Sequence, residues 1–360
     1  MLTETLKKKG YKIFRNYPFI DREEEINFLK EYFKETPQRI LFIYGPKSTG
    51  KTTLIEYVIE KELKEKGYWI NYLNLRRTLL ATYENFIYSF FEEAKDETET
   101  ELNRTYDLKI FKLEAKTLKK IKERRINLFA ELIRQFEKIK EKKIFIIDEI
   151  QVLEDIYVNG EKELLKEFLN FCVTLTKETH LAHIVILTSN TIFLNRIYND
   201  SKLKETSDFK LIEHPEKEII VKMLKDLGYN NTQIELAIDY YGTIISRFFK
   251  MYQHVKPQDS IEKLKEYLDK EKLDAKMQII EILKRYKKYN LDKDAYELFI
   301  KTAKKIINTG LNFKDLNEKE IDLMDVFCEK EILFFDPQTG IITPNSRIYL
   351  KAMEDFIKER

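Results

Sequence analysis

The first 213 residues alternate between short apolar runs and longer stretches with helical periodicity. Each apolar run is bounded by polar or turn-forming residues, which is typical of a strand buried on both faces of a parallel sheet. The five predicted strands are residues 40–44, 68–75, 144–147, 183–187 and 209–212. Between the second and third strands, the spacing predicts helices over 79–93 and 115–139. The pattern therefore predicts an α/β domain with a parallel sheet of about five strands.

Beyond residue 213 the apolar positions follow helical spacing almost throughout. The predicted helices are 216–227, 231–240, 244–254, 261–289 with a break near Asp274, 292–308 and 318–330. Two strands, 332–335 and 341–343, precede a closing helix over 346–358. Helices followed by a two-stranded hairpin are the outline of a winged helix. The predicted domains are an α/β domain (1–213), a helical lid (214–257) and a winged helix (258–360).

The loop after the first strand carries the motif G-x-x-x-x-G-K-[ST] between a buried strand and a helix, which is the context that this phosphate-binding motif requires. Gly45 and Gly50 allow turns in which backbone N–H groups converge on phosphate oxygens. Lys51 is predicted to reach the β- and γ-phosphates, and the Thr52 hydroxyl to bind Mg²⁺. The residues predicted to contact ATP or ADP here are Gly45, Pro46, Lys47, Ser48, Thr49, Gly50, Lys51, Thr52 and Thr53.

A second chemical signal is the pair Asp148-Glu149 at the end of the third predicted strand. A phosphate loop needs one carboxylate for the Mg²⁺ shell and one to orient and deprotonate the attacking water. We assign the first role to Asp148 and the catalytic role to Glu149. The glutamate favours the ATP-hydrolysing (ASCE) branch of P-loop proteins, in which an extra strand separates the two motifs. No Asn-Lys-x-Asp motif of a GTPase is present.

Several polar residues outside the two motifs are weaker candidates for contacts with the nucleotide. Asn190, with Ser189 as second choice, follows the fourth strand and is predicted to bind the γ-phosphate or the water, although an N-cap for the next helix explains either residue almost as well. Asp21 and Arg22 precede the first strand, where such segments often line an adenine pocket; Asp21 could also cap the helix 22–33. Arg196 is a candidate arginine finger.

Charge and composition indicate which partners and which cellular compartment to expect for the protein. The chain has 64 Lys and Arg against 62 Asp and Glu, so its net charge of +2 indicates no general attraction to nucleic acid or membrane. Its two cysteines, Cys172 and Cys328, belong to no C-x-x-C pair and fit a reducing compartment. No apolar stretch reaches the length of a membrane span, and the first ten residues lack a signal-peptide core, so a cytoplasmic protein is expected. The four histidines show no metal-ligand spacing.

The combined motifs resemble the archaeal ATPase family, a P-loop family of the STAND-like branch near AAA+ ATPases with a C-terminal winged helix. The resemblance covers nearly the whole chain and rests on residues 19–23, 45–53, 146–151, 187–189 and 332–337, with Pro344 and Arg347. It implies the same roles for Lys51, Thr52, Asp148 and Glu149, and adenine-side contacts at Asp21 and Arg22. One departure is the lid turn, where Gly242 stands alone without the second glycine and the proline usual in the family.

The leading hypothesis is a slow Mg²⁺-dependent ATPase that uses nucleotide state as a conformational switch, with a protein partner or self-association acting through the lid or winged helix. The first alternative is a DNA-binding initiator or mobile-element ATPase. The helix 318–330 before the hairpin argues against it, because its five acids outnumber its two lysines and would repel DNA. The second alternative is a nucleotide-binding scaffold with little turnover.

Overall fold

The computed structural model describes residues 2–64, 66–75, 82–93, 111–156, 163–200, 202–290 and 294–359. Ahead of the central sheet lie helix α1 (Leu2–Lys8), a hairpin of β1 (Ile13–Phe14) and β2 (Tyr17–Pro18), and helix α2 (Glu23–Tyr32). Helix α2 buries Ile26 and Leu29 on one face, as its amphipathic pattern predicts.

The α/β part alternates strands and helices in the predicted manner. In chain order its elements are β3 (Ile40–Tyr44), α3 (Lys51–Tyr57), β4 (Tyr68–Asn74), α4 (Tyr83–Tyr88), β5 (Phe91–Glu93), β6 (Phe111–Leu113), α5 (Ala115–Lys122), α6 (Leu128–Lys138), β7 (Lys142–Asp148), α7 (Leu164–Val173), β8 (Ala182–Thr188), α8 (Thr191–Asp200) and β9 (Ser207–Leu211). Short π-helical segments, Val58–Leu63 and Thr174–Glu178, continue α3 and α7.

Five of these strands form one parallel sheet in the order β4-β7-β8-β3-β9. Strand β8 lies between β3, which leads into the phosphate loop, and β7, which ends in Asp148. The five-stranded ASCE arrangement expected from the sequence is therefore confirmed. Helices cover both faces of the sheet, and all residues of β3 and β8 are buried, which explains why these strands are apolar without alternation.

Two sequence-predicted helices differ in the structure. Within the described part of 79–93, helix α4 is followed by strand β5, which pairs with β6 in a small separate parallel sheet. The predicted helix 115–139 is two helices, α5 and α6. The chain turns at Arg124, whose φ is 56°, and Asn127 then caps α6 by accepting hydrogen bonds from the backbone N–H groups of Phe129 and Ala130.

The second half of the chain is mainly helical and ends in a small antiparallel sheet of order β10-β12-β11. Its elements are α9 (Lys217–Asp226), α10 (Asn231–Tyr241), α11 (Ile245–His254), α12 (Ile261–Asn290), α13 (Ala295–Thr309), β10 (Leu311–Asn312), α14 (Glu318–Glu329), β11 (Leu333–Asp336), β12 (Ile341–Pro344) and α15 (Arg347–Lys358). Strand β10 adds a third strand to the predicted hairpin. In the succession from α13 to β12, helices are followed by the predicted pair of strands, and the assignment of this segment as a winged helix stays a prediction.

Helix α12 is continuous over 30 residues, so the break predicted near Asp274 is wrong. The segment contains neither proline nor glycine. Its apolar stripe also runs past that point, because Leu268, Ala275 and Ile279 are all buried. Among the residues that the structure describes, no helix has the length and apolar character needed to cross a membrane.

The lid and the C-terminal segment share one hydrophobic core. Met223 of α9, Phe248 of α11, Leu268 of α12 and Phe327 of α14 all belong to the same buried cluster. The boundary at residue 257 stays a prediction, and the two segments pack as a continuous body. Phe334 of β11 is different, because it is buried in the cluster formed by the sheet and its helices. The C-terminal hairpin therefore docks on the α/β part.

Candidate nucleotide-binding site

The parallel register of the central sheet brings the candidate residues to one edge. Tyr44 at the end of β3 is paired with Thr188 of β8, and Asp148 at the end of β7 is paired with Leu187 of β8. The loop after β3 and the residues after β7 and β8 therefore lie side by side. This carboxyl edge is where ligands are expected in open α/β sheets.

The backbone conformation and the packing of the phosphate loop require glycine at two positions. Gly45 has φ 151°, and a Cβ there would lie 2.2 Å from the backbone oxygen of Ile212, the residue that follows β9. Gly50 has φ 90° and occupies the N-cap position of α3, so Lys51 begins the helix. The loop thus leads directly to a helix N-terminus, whose free N–H groups and partial positive charge favour a phosphate.

Lys51 is folded back into this loop. Its Nζ donates hydrogen bonds to the backbone oxygens of Gly45 and Pro46, each at 2.9 Å. Burial lowers the pKa of the Lys51 ammonium to about 8, against the opposing attraction of the carboxylates of Glu331, Asp148 and Glu149. A buried cation with several acids around it is a candidate partner for a phosphate group.

Asp148 is the hub of a small polar network. Its Oδ2 accepts hydrogen bonds from the Thr52 hydroxyl at 3.1 Å, the Tyr72 hydroxyl at 2.8 Å and the Asn74 amide at 3.3 Å. The hydroxyl and carboxylate oxygens of Thr52 and Asp148 are of the kind that Mg²⁺ prefers, so this pair fits the metal. Sequence reasoning missed Tyr72 and Asn74, although two polar residues at alternate positions near the end of β4 share one face of the strand.

Glu149 has a left-handed backbone, with φ 65°, directly after β7. A non-glycine residue in this region costs of order 1 kcal/mol and often marks a functional position. The Glu149 N–H donates to the backbone oxygen of Leu187 at 3.3 Å, and the side-chain amide of Gln151 donates to the Glu149 carboxylate. These contacts hold Glu149 beside Asp148 at the sheet edge.

Ser189 and Asn190 make different contacts. The Asn190 side-chain oxygen accepts a hydrogen bond from the backbone N–H of Phe193 at 3.0 Å, which is an N-cap of α8. The Ser189 hydroxyl donates to the Glu331 carboxylate at 2.6 Å. The capping alternative is therefore present in the structure, and a contact of Asn190 with phosphate or water stays a prediction.

Arg22 lies against the phosphate loop, and its predicted contact with the adenine side of a nucleotide stays a prediction. It is buried, and its guanidinium donates to the backbone oxygens of Thr49 at 2.8 Å and Glu213 at 2.9 Å. Asp21 does not cap α2, whose N-cap position is Arg22 without a side-chain cap. Instead the Asp21 carboxylate accepts a hydrogen bond from the backbone N–H of Glu216, just before α9, at 3.0 Å. The backbone of Asp21 is left-handed, with φ 57°.

The C-terminal hairpin contacts the phosphate loop directly, which no sequence pattern indicated. The backbone N–H of Lys47 donates to the Asn345 side-chain oxygen at 3.0 Å, and the Lys47 ammonium forms an ion pair with Glu331. The Asn345 amide donates to the backbone oxygen of Glu331 at 2.9 Å. The Tyr44 hydroxyl also donates to Asp336 at 3.0 Å. We call Lys47, Ser189, Glu331 and Asn345 the loop–hairpin contact.

Arg196 is part of the same interface. Its guanidinium donates to both carboxylate oxygens of Glu154, at 3.1 and 3.0 Å, and lies 3.7 Å from the carboxylate of Glu329 at the end of α14. Helix α14 packs against α8, so Arg196 bridges the two parts of the chain. Its role as an arginine finger stays a prediction.

The sheet order and the loop define the class of the protein as a P-loop NTPase of the ASCE type. The chain belongs to the archaeal ATPase family, because the model of an ATPase domain predominantly from Archaea matches residues 19–247.

Relatives extend over nearly the full length. An uncharacterised ATP-binding protein of Methanocaldococcus jannaschii is 34% identical, covering 94% of this chain and 97% of its own. Another, from Pyrococcus abyssi, is 29% identical and covers 94% of this chain and 99% of its own. Among solved structures, the ADP form of the Aeropyrum pernix ORC2 protein aligns with a TM-score of 0.46 at 12% identity, over 96% of this chain and 97% of that one.

Replacing Gly45 tests the packing of the loop. We expect Gly45→Ala to lower the melting temperature more than Gly67→Ala. A Cβ at residue 67 meets no atom within 4 Å and adds only the strain of its φ of 71°, whereas a Cβ at residue 45 collides with the Ile212 oxygen. The difference should be several degrees in a thermal melt. Equal melting temperatures for the two variants would contradict this account of the loop.

Proposed function

We propose that this protein binds ATP and, with Mg²⁺, hydrolyses it to ADP and phosphate. We further propose that the bound nucleotide controls how the C-terminal hairpin docks on the phosphate loop. The observation that carries the proposal is the 3.1 Å hydrogen bond between Thr52 and Asp148, which joins the two motifs at one edge of the sheet. The full-length relatives named as ATP-binding proteins support the choice of nucleotide.

Each residue then has a distinct task. The backbone N–H groups of residues 48–53 and the Lys51 ammonium would bind the phosphates, with Thr52 and Asp148 holding Mg²⁺. When bound, Mg²⁺ would neutralise part of the negative charge of the phosphates. Glu149 would accept the proton of the attacking water, and Asn190 would bind that water or the γ-phosphate. Arg22 would hold the loop in shape through its hydrogen bond to Thr49.

Two substitutions separate binding from hydrolysis. Lys51→Ala should weaken nucleotide binding and lower phosphate release, because it removes the cation nearest the predicted phosphates. Glu149→Gln should keep binding and lower phosphate release by about 100-fold or more, since it removes the general base. Both are measured as phosphate release from Mg-ATP, with nucleotide affinity measured separately.

Glu141→Gln is the matched control, because Glu141 is an exposed acid just before β7, at the opposite end of the strand from Asp148. It should hydrolyse ATP like the wild type. If Lys51→Ala and Glu149→Gln also do so, the assigned site is wrong. Duplex DNA should leave the rate unchanged, because the acidic side chains of α14 would repel it.

The loop–hairpin contact suggests how nucleotide and domain position are coupled. Glu331 pairs with Lys47 of the phosphate loop and with Ser189 after β8, and its charge is also the leading attraction on the Lys51 ammonium. A γ-phosphate would bring further negative charge to this edge and repel the Glu331 carboxylate. ATP should therefore loosen the hairpin, whereas ADP should leave it docked. A protein partner, or a second copy of the chain, could then act on the released surface.

Glu331→Gln tests this coupling. Because the amide carries no charge, ATP no longer has to displace a carboxylate, and the affinity for ATP relative to ADP should rise several-fold. The measurement is the dissociation constant for ADP divided by that for ATP, with Mg²⁺ present, and this ratio should rise. Glu329→Gln is the control, because Glu329 lies on the same interface but pairs with Arg196 rather than with the loop. A ratio that is unchanged, or that falls, in Glu331→Gln would contradict the coupling.

A further inference from the structure

His214 lies in the linker between β9 and α9, beside the phosphate loop. The preceding residue, Glu213, offers its backbone oxygen to Arg22, and the same guanidinium holds the backbone oxygen of Thr49. Two residues further on, the backbone N–H of Glu216 donates to Asp21. The linker that carries His214 is therefore tied on both sides to residues 21 and 22, the segment predicted to line the adenine side of the site.

The imidazole of His214 has unused hydrogen-bonding capacity. Both ring nitrogens, Nδ1 and Nε2, are buried, and neither has a hydrogen-bond partner among the residues that the structure describes. Burial, followed by the nearby charges of Lys51 and Arg22, lowers the pKa of His214 to about 4, so the ring is neutral at physiological pH. A buried polar group without a partner is destabilising, and such a group in a protein calls for an explanation.

We propose that His214 is a nucleotide-contacting residue that hydrogen-bonds the adenine end of the bound nucleotide. A neutral imidazole has one donor and one acceptor nitrogen. The edge of adenine offers an amino donor beside ring-nitrogen acceptors, so either tautomer of His214 finds a partner there. The inference rests on the proposed function, because it assumes that the nucleotide occupies the loop.

The neutral charge of His214 favours the base over the phosphates. Lys51, the loop N–H groups and the start of α3 already provide positive charge at the phosphate end. A neutral ring adds nothing of that kind, and its linker is held by the segment 21–22 rather than by the loop–hairpin contact. Because residue 217 begins α9, a base held by His214 would also fix the start of the lid.

The test is a fluorescence titration of the full chain with N-methylanthraniloyl (mant) ADP and mant-ATP, whose label is on the ribose. His214→Ala should raise both dissociation constants by about tenfold, the equivalent of one hydrogen bond. His214→Asn, which keeps a donor and an acceptor, should recover part of the loss. His183→Gln is the matched control. His183 is buried near the start of β8, at the edge of the sheet opposite to the phosphate loop, and its Nε2 contacts the backbone oxygen of Glu35.

The outcomes are distinct. A His214→Ala protein that binds both probes as the wild type does would overturn the proposal, and a loss confined to mant-ATP would assign His214 to the phosphates instead. A wild-type protein that binds neither probe would contradict the proposed function itself, and the role of His214 with it.

A second readout follows the ring nitrogens of the wild-type protein and needs a variant only for assignment. The chain has only four histidines, so their ring nitrogens can be resolved by ¹⁵N NMR of the wild-type protein, with His214→Asn used for assignment. Saturating ADP should shift the ring signals of His214 and leave those of His183 in place. An unshifted His214 ring would overturn the proposal.

Discussion

The site depends on the parallel register that aligns β3, β8 and β7. Pairing of Tyr44 with Thr188, and of Asp148 with Leu187, fixes where each strand ends, so the loop after β3 opens beside Asp148. The 3.1 Å hydrogen bond between Thr52 and Asp148 follows from this alignment. A shift by one residue along β7 would move Asp148 to the other face of the sheet and separate the two motifs.

The second constraint is that a negatively charged side chain lies where a negatively charged ligand is expected. Glu331 pairs with Lys47 and Ser189, and Asn345 accepts the Lys47 N–H. Glu331 itself has a left-handed backbone with φ 57°, at the turn between α14 and β11. Burial of Phe334 in the core of the central sheet stabilises this docked position, and the polar loop–hairpin contact fixes the orientation of the hairpin. The docked hairpin therefore contacts the same loop that is proposed to bind the nucleotide.

The sequence predicted the features that local patterns encode. Three of the central strands, β3, β7 and β8, contain long apolar runs, and the two motifs have short fixed spacings, so their positions and the sheet type could be inferred. The C-terminal strands β11 and β12 were found for the same reason. Strand β10 was not predicted, because two residues are too few to show an alternating or apolar pattern.

The features that the sequence did not reveal depend on contacts between distant parts of the chain. Lys47 and Glu331 are 284 positions apart, and nothing near either of them in sequence indicates the other. Tyr72 contacts Asp148 only because β4 pairs with β7, which is a property of strand order rather than of strand sequence. His214 belongs to no motif, and the lack of partners for its ring nitrogens within the described part of the chain becomes apparent only when its surroundings are known.

The most direct measurement of the central claim is amide hydrogen exchange of the wild-type protein, compared between saturating ADP and a non-hydrolysable ATP analogue, each with Mg²⁺. If nucleotide state controls docking, the peptides covering α8, β11 and β12 should exchange faster with the ATP analogue than with ADP. Peptides from the middle of α12, which lie away from the interface, should exchange alike in both. Equal protection of α8, β11 and β12 in the two states would contradict the account.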